Sequence, residues 1–214
     1  TMAALLHKDA NDAPLLPELI KRSGLGTTEW LQKYLDCYLS PLLHCFYYHD
    51  MAFMPHGENI FLVLKDYIPV KAYIKDLTEE TVIFNELLVL PEKVKRIQLT
   101  EEDDIRIQSL LADVFDCFFR FLSAILDESN FPETQFWGLV AECILDYQKR
   151  FPELKDKFSR FDLFVPEFLC CCLNRLQLKN NLQMLDLTDP SKSFQMVGLL
   201  KNPIAHLKPR RVVK

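Results

Sequence analysis

Two periods of apolar residues run through this chain, one near 3.6 and one near 2. From Trp30 to Tyr48, Leu31, Tyr34, Leu35, Tyr38, Leu39, Leu42 and Phe46 recur three or four residues apart, the spacing of one buried helical face. Thr27-Thr28-Glu29 reads as the start of that helix. Pro41 falls inside the run and predicts a kink, or a fresh start capped by Ser40. The same period returns from Asp104 to Leu126, through Leu110, Leu111, Val114, Phe115, Phe118, Phe119, Phe121 and Leu122, and again from Thr134 to Phe151. Pro166 to Leu178 is predicted helical, with proline in its first turn. Residues 1–22 read as two short helical pieces, broken at Asn11-Asp12-Ala13-Pro14 and closed by Gly24-Leu25-Gly26.

Between these helices the period changes. Ile60-Phe61-Leu62-Val63-Leu64 is apolar throughout, as a strand buried on both faces would be. After a polar turn, Val70, Ala72 and Ile74 alternate with Lys71 and Tyr73, so the second strand has one wetter face. Thr81 to Phe84 reads as a further extended piece, 91–103 as a loop leading to a helix cap near Thr100, and 183–187 fits strand or helix equally. The fold class that follows is α+β and predominantly helical, with a small antiparallel hairpin at about 60–74 packed on a helical bundle. No internal repeat or low-complexity linker divides the chain.

Composition narrows the class. Of 214 residues 49% are hydrophobic and 26% charged, with 16 phenylalanines against 5 glycines, which favours packed helices over a loop-rich β fold. A net charge of −5 argues against a nucleic-acid surface. Lys208-Pro209-Arg210-Arg211 with Lys214 forms the one basic cluster, and residues 206–214 read as a flexible, solvated tail. The seven cysteines include no Cys-x-x-Cys pair. On a helix Cys170, Cys171 and Cys172 would point about 100° apart and could not converge on a metal. All seven read as reduced, mostly buried thiols of a cytoplasmic protein. Apolar stretches fall far short of the roughly 20 residues that a membrane helix needs. Thr1-Met2 running straight into a helical pattern reads as an engineered start, and the chain as a fragment.

The chemistry concentrates in Phe53-Met54-Pro55-His56-Gly57-Glu58-Asn59 and, beyond the hairpin, Lys75-Asp76. A hairpin returns the chain to its starting level, so Asn59 and Asp76 are expected side by side. An amide oxygen and a carboxylate so placed suit Mg²⁺, which takes oxygen ligands and shares them with phosphates. Gly57 permits close backbone approach, and His56 is placed to touch a phosphate. The bland alternatives are a loop histidine bonded to backbone and, for Asp76, a solvated turn residue or helix cap. Lys75, Glu80 and Glu58 fit either the site or an ordinary charged surface. His44 and His49 read as packing or surface residues. Asn174, Arg175, Asn180 and Asn181 flank a helix end, where capping competes with substrate contact. Glycine-rich phosphate loops, Gly-x-Ser-x-Gly and His-Glu-x-x-His are all missing from the sequence.

These residues carry a resemblance. Tyr38-Leu39-Ser40-Pro41-Leu42-Leu43-His44-Cys45-Phe46, then Phe53 to Asn59, then Val70-x-x-x-x-Lys75-Asp76, resemble the NRPS-independent siderophore synthetases, the IucA/IucC aerobactin-synthetase family. Val114 to Leu122, Leu173-Asn174-Arg175-Leu176-Gln177 and Gly198-Leu199-Leu200-Lys201-Asn202-Pro203-Ile204 extend it to nearly the whole chain. The resemblance implies the palm and thumb, residues 1–205, of a cupped-hand ATP-dependent ligase. Such enzymes adenylate a carboxylate of citrate or a similar polycarboxylic acid, then join it to an amine or hydroxylamine. It also implies that His56 contacts ATP phosphate and that Asn59 and Asp76 hold Mg²⁺ and phosphates, with Glu58 and Lys75 alongside. Family members are much longer, and their ATP-gripping fingers precede residue 1, so the fragment alone is expected to fold but not to turn over. A homodimer is compatible with the family. Two rivals stay open: a non-catalytic helical binding module, and a kinase-like phosphotransferase, since kinases also place an Asn and an Asp on Mg²⁺.

Overall fold

The computed structural model describes residues 1–75, 77, 81–171 and 196–209. Its centre is α2 (Thr27–His49), preceded by α1 (Leu15–Ser23) and by a 3₁₀ turn at Met2–Leu6. Gly24 ends α1 in the left-handed conformation, φ 72°, the usual glycine stop. Trp30, Tyr34, Tyr38 and Tyr47 are buried along α2, so the periodic face read from the sequence is the core face. Pro41 does not interrupt it. The helix runs on through the proline, and Ser40 is no cap; its hydroxyl accepts a 2.9 Å bond from Arg150. A mid-helix proline costs about 3 kcal/mol. Burial of Leu39, Leu42, Leu43 and Phe46 around it offsets that cost, since each large apolar side chain contributes about 1.5–3 kcal/mol.

Among the described residues, three short antiparallel ladders decorate this core. β1 (Met51–Ala52) pairs with β4 (Val82–Ile83), and β2 (Ile60–Lys65) with β3 (Ile68–Ile74). The tip of the β2–β3 hairpin is Asp66-Tyr67, both at positive φ (52° and 64°), a type I′ geometry made without the usual glycine. Trp30 Nε1 donates to the Tyr67 carbonyl at 2.9 Å, and Arg22 sits over the Tyr67 ring, which holds the strained tip. The expectation of a doubly buried β2 is corrected: Ile60 is buried, whereas Phe61 is exposed and pairs with exposed Tyr73. A register shift at Val63/Leu64 also turns Val70 outward, out of the alternation that predicted it inside.

The second helical half is continuous in outline but not in type. α3 (Asp103–Arg106) starts after Glu102 rather than near Thr100, following a 3₁₀ turn at Glu92–Ile97. α4 (Gln108–Leu110) leads into a π-helix at Leu111–Phe119, and α5 (Arg120–Glu128) completes the run. The wider π turn buries Leu111, Ala112, Val114, Phe115, Asp116, Phe118 and Phe119, more than one α-helical stripe holds. α6 (Glu133–Arg150) packs on α2, and α7 (Lys155–Arg160) follows.

Of the helix expected from Pro166 to Leu178, residues 167–171 form a strand instead, and 172–178 lie outside the described residues. β5 (Glu167–Cys171) pairs with β6 (Met196–Lys201), matching Phe168 to Leu200 and Leu169 to Leu199. Residues 183–187 lie outside the described residues. Cys37, Cys45 and Cys143 are free thiols; Cys143 is buried, and Cys37, Cys45, Cys117 and Cys170 are half-buried, less enclosed than expected. The start of the supposed tail is folded, with a 3₁₀ turn at Ala205–Leu207 and Lys208 paired to Asp162. Among the described residues no helix is long and apolar enough to cross a membrane.

Candidate functional site

The loop between β1 and β2 is held by its carbonyl groups. The Met54 oxygen accepts from Asn59 Nδ2 at 3.3 Å, and the Pro55 oxygen from the Tyr38 hydroxyl at 2.7 Å. The His56 oxygen accepts from the Asn59 amide at 3.0 Å, and the Gly57 oxygen from the Ala3 amide at 2.8 Å. Four consecutive carbonyls are thus committed to protein donors. An anion bound at this loop would not meet those oxygens, whose negative ends would repel it.

Gly57 is needed for packing rather than for φ. A Cβ there would lie 2.9 Å from both the Cα and the N of Ala3, and 3.0 Å from the Phe118 ring. The loop is wedged between the amino-terminal turn and the π-helix, so glycine is what lets backbone meet backbone.

Asn59 is 4% exposed and opens the hairpin. Its donor nitrogen faces Met54, which turns Oδ1, the atom a hard cation would take, away from that carbonyl. Its own carbonyl accepts from the Lys75 amide at 2.9 Å, so the β2–β3 ladder continues to the open end and sets Asn59 across from Lys75. His56 and Lys75 are half-buried beside this end, and Glu58 is exposed. Backbone bonds therefore link His56 to Asn59 and Asn59 to Lys75. Asp76, Glu80, Asn174, Arg175, Asn180 and Asn181 lie outside the described residues.

Of the two histidines read as packing or surface residues, His44 is half-buried and His49 is exposed. His44 stacks on Tyr48 at 4.8 Å between ring centres, and its Nδ1 is 3.1 Å from the Tyr147 hydroxyl. Burial, then His49 and Arg150, lower its pKa below the usual histidine value. Sequence reasoning overlooked Tyr38, Ala3 and Phe118 as neighbours of the loop. Tyr38 was visible as one position of a buried helical face, but nothing in that spacing signals its carbonyl partner.

Comparison with known proteins identifies the family. The fold is that of the siderophore synthetases. The solved aerobactin synthetase IucC of a hypervirulent Klebsiella pneumoniae pathotype matches 97% of this chain and 36% of its own, at TM-score 0.78 and 27% identity. A family model described as "Ferric iron reductase FhuF-like transporter" matches residues 28–186. Putrebactin synthase of Shewanella sp. (strain MR-4) is 49% identical over 96% of this chain and 33% of its own length. Aerobactin synthase of Escherichia coli is 31% identical over 83% of this chain and 31% of its own. The chain belongs to the NRPS-independent siderophore synthetases, as their FhuF-like C-terminal domain. It spans about a third of the length of the curated relatives it matches.

Proposed function

We propose that this chain forms one wall of the nucleotide site in an ATP-dependent siderophore synthetase. The complete enzyme would adenylate a carboxylate of citrate or a related polycarboxylic acid, releasing pyrophosphate. An amine or hydroxylamine then attacks the acyl-adenylate to give an amide and AMP. The observation that carries this reading is the loop at 54–57, whose four carbonyls are bonded into the protein while His56 and Asn59 stand together at the hairpin mouth.

Each residue then has a task. The imidazole of His56 donates a hydrogen bond to a phosphate oxygen as charge builds at the α-phosphate and on the departing pyrophosphate. Asn59 Oδ1, with the Asp76 carboxylate, would hold Mg²⁺, which neutralises phosphate charge when bound. Oxygen donors of this kind fit that ion. Lys75 adds positive charge beside the phosphates, with Glu58 at the rim; Glu80, Asn174 and Arg175 stand as candidate substrate contacts. The remaining two thirds of the enzyme supply the opposite wall. Free thiols and a need for ATP suit the cytoplasm. A homodimer is part of the same proposal, tested by sedimentation of the complete enzyme.

The test is pyrophosphate release by the complete synthetase with Mg²⁺, ATP, citrate and a panel of amines. His56→Ala and Asp76→Ala are each expected to lower turnover by at least ~10², the usual size for losing one such stabilising group. Near-wild-type kinetics in both folded variants would sink the assignment. ADP in place of AMP and pyrophosphate would identify a phosphotransferase instead.

A further inference from the structure

Tyr38 lies on α2, seventeen residues before the carbonyl it bonds, and reaches the loop with its hydroxyl. Its ring is held from three sides: stacked on Tyr34 at 5.7 Å, and edge-on to Phe118 and Phe119 at 6.3 and 5.8 Å. At 2% exposure it has no room to change rotamer without disturbing the core. Burial, and then Asp113, hold its phenol well above the usual tyrosine range, so the hydroxyl keeps its proton and donates.

The acceptor matters as much as the donor. The Pro55 carbonyl and the His56 amide nitrogen belong to one planar peptide unit. Fixing that oxygen fixes the plane from which the His56 side chain departs. The bond to Tyr38 therefore ties the orientation of the imidazole to the rigid centre of the helical core. The amide of Asn59 and the π-helix ring of Phe118 also hold this loop.

We propose that Tyr38 is a positioning residue of the synthetase: it acts through the Pro55–His56 peptide to aim the His56 imidazole at the phosphate. This rests on the nucleotide-site reading given above. Rate losses from misplacing a catalytic group are steep, and a shift of about 1 Å can cost 10²-fold. Losing one hydrogen bond while the ring stays packed is expected to cost about tenfold in kcat. KM for ATP is expected to move by less than about twofold, because phosphate binding shared among several groups survives.

The experiment is a double-mutant cycle in the complete synthetase, with pyrophosphate release as the readout. Its members are Tyr38→Phe, His56→Ala and the pair, with Tyr34→Phe as a control. Tyr34 is equally buried and one turn earlier, and its hydroxyl meets the Met2 sulfur at 3.8 Å rather than the loop. The proposal expects Tyr38→Phe to lower kcat, Tyr34→Phe to leave it unchanged, and Tyr38→Phe to cost nothing further once His56 is alanine. Additive losses in the pair, or equal losses from the two tyrosine variants, would overturn it as a merely structural effect. Wild-type kcat in Tyr38→Phe beside a dead His56→Ala overturns the positioning role and leaves the site reading standing. An active His56→Ala removes both.

Discussion

Two loops leave the β1–β4 ladder at opposite ends, and they are built on opposite plans. The one at 53–59 is secured by partners distant in sequence, Tyr38 and Ala3, and wedged against Phe118. The one at 85–90 is secured near home. Asn85 Oδ1 accepts from the Leu87 amide, and Gln98 Nε2 reaches the carbonyls of Asn85 and Leu88 at 2.7 and 2.9 Å. Its apolar residues face water, with Leu87 and Val89 at 92% and 93% exposure. Loops stay on the surface because buried backbone needs partners. The first loop is inside because four tertiary or local donors meet its carbonyls. A loop so determined can hold a reacting group still, whereas a loop held by local bonds tolerates change.

Substitutions can break that contrast, and the largest expected effect is at Gly57. In Gly57→Ala the added Cβ meets backbone of Ala3, which cannot step aside as a flexible side chain would. We expect a loss of about 1–3 kcal/mol in urea unfolding, the usual cost of overpacking, with activity falling too. An unchanged midpoint would show that the wedge is looser than its geometry.

The π-helix behind the loop offers a pH test. Asp116 is buried, and its Oδ1 lies 3.0 Å from Arg120 Nη1, close enough to pair but not aligned as a hydrogen bond. Burial raises its pKa above the ordinary 3.8, and Arg120 opposes that only in part. The sign follows directly. A carboxyl with a raised folded pKa favours the fold when protonated, so its contribution is present below pH 3.8 and is lost as pH climbs through the folded value. Asp116→Asn should therefore match the parent in thermal midpoint at acid pH and exceed it at neutral pH. A constant difference across that range would contradict the cost assigned to the buried charge.

Smaller effects belong to the second loop. Gln98→Ala removes two side-chain bonds and should cost about 1 kcal/mol in stability, with pyrophosphate release by the complete enzyme unaffected. Leu87→Ser should fall within about 0.5 kcal/mol of the parent by the same unfolding measurement, because the side chain has almost no contacts to lose. A marked loss at Leu87 would mean that something covers it in the complete enzyme.

Much of this molecule was legible in its amino-acid order. The apolar faces of α2 and α6, the hairpin at 60–74 and the loop carrying His56 and Asn59 all follow from neighbours within a few residues. Periodicity and turn chemistry are local properties, and the helices bury the faces that their own spacing defines. The return of the hairpin was legible for the same reason; its ladder sets Asn59 across from Lys75, and the expected Asn59–Asp76 pair lies outside the described residues. What only the tertiary structure decided involves groups far apart in the chain. Pro41 stays in a helix because the surrounding core outweighs its penalty. Glu167–Cys171 is a strand because Met196–Lys201 lies beside it, not because of its own composition. Tyr38 meets Pro55, and Ala3 meets Gly57, because packing of α2 and the π-helix brings those backbones together. A hydrogen bond has no sequence signature when its partners are set by folding, so the loop of the proposed site can be read from the sequence while the means of holding it cannot.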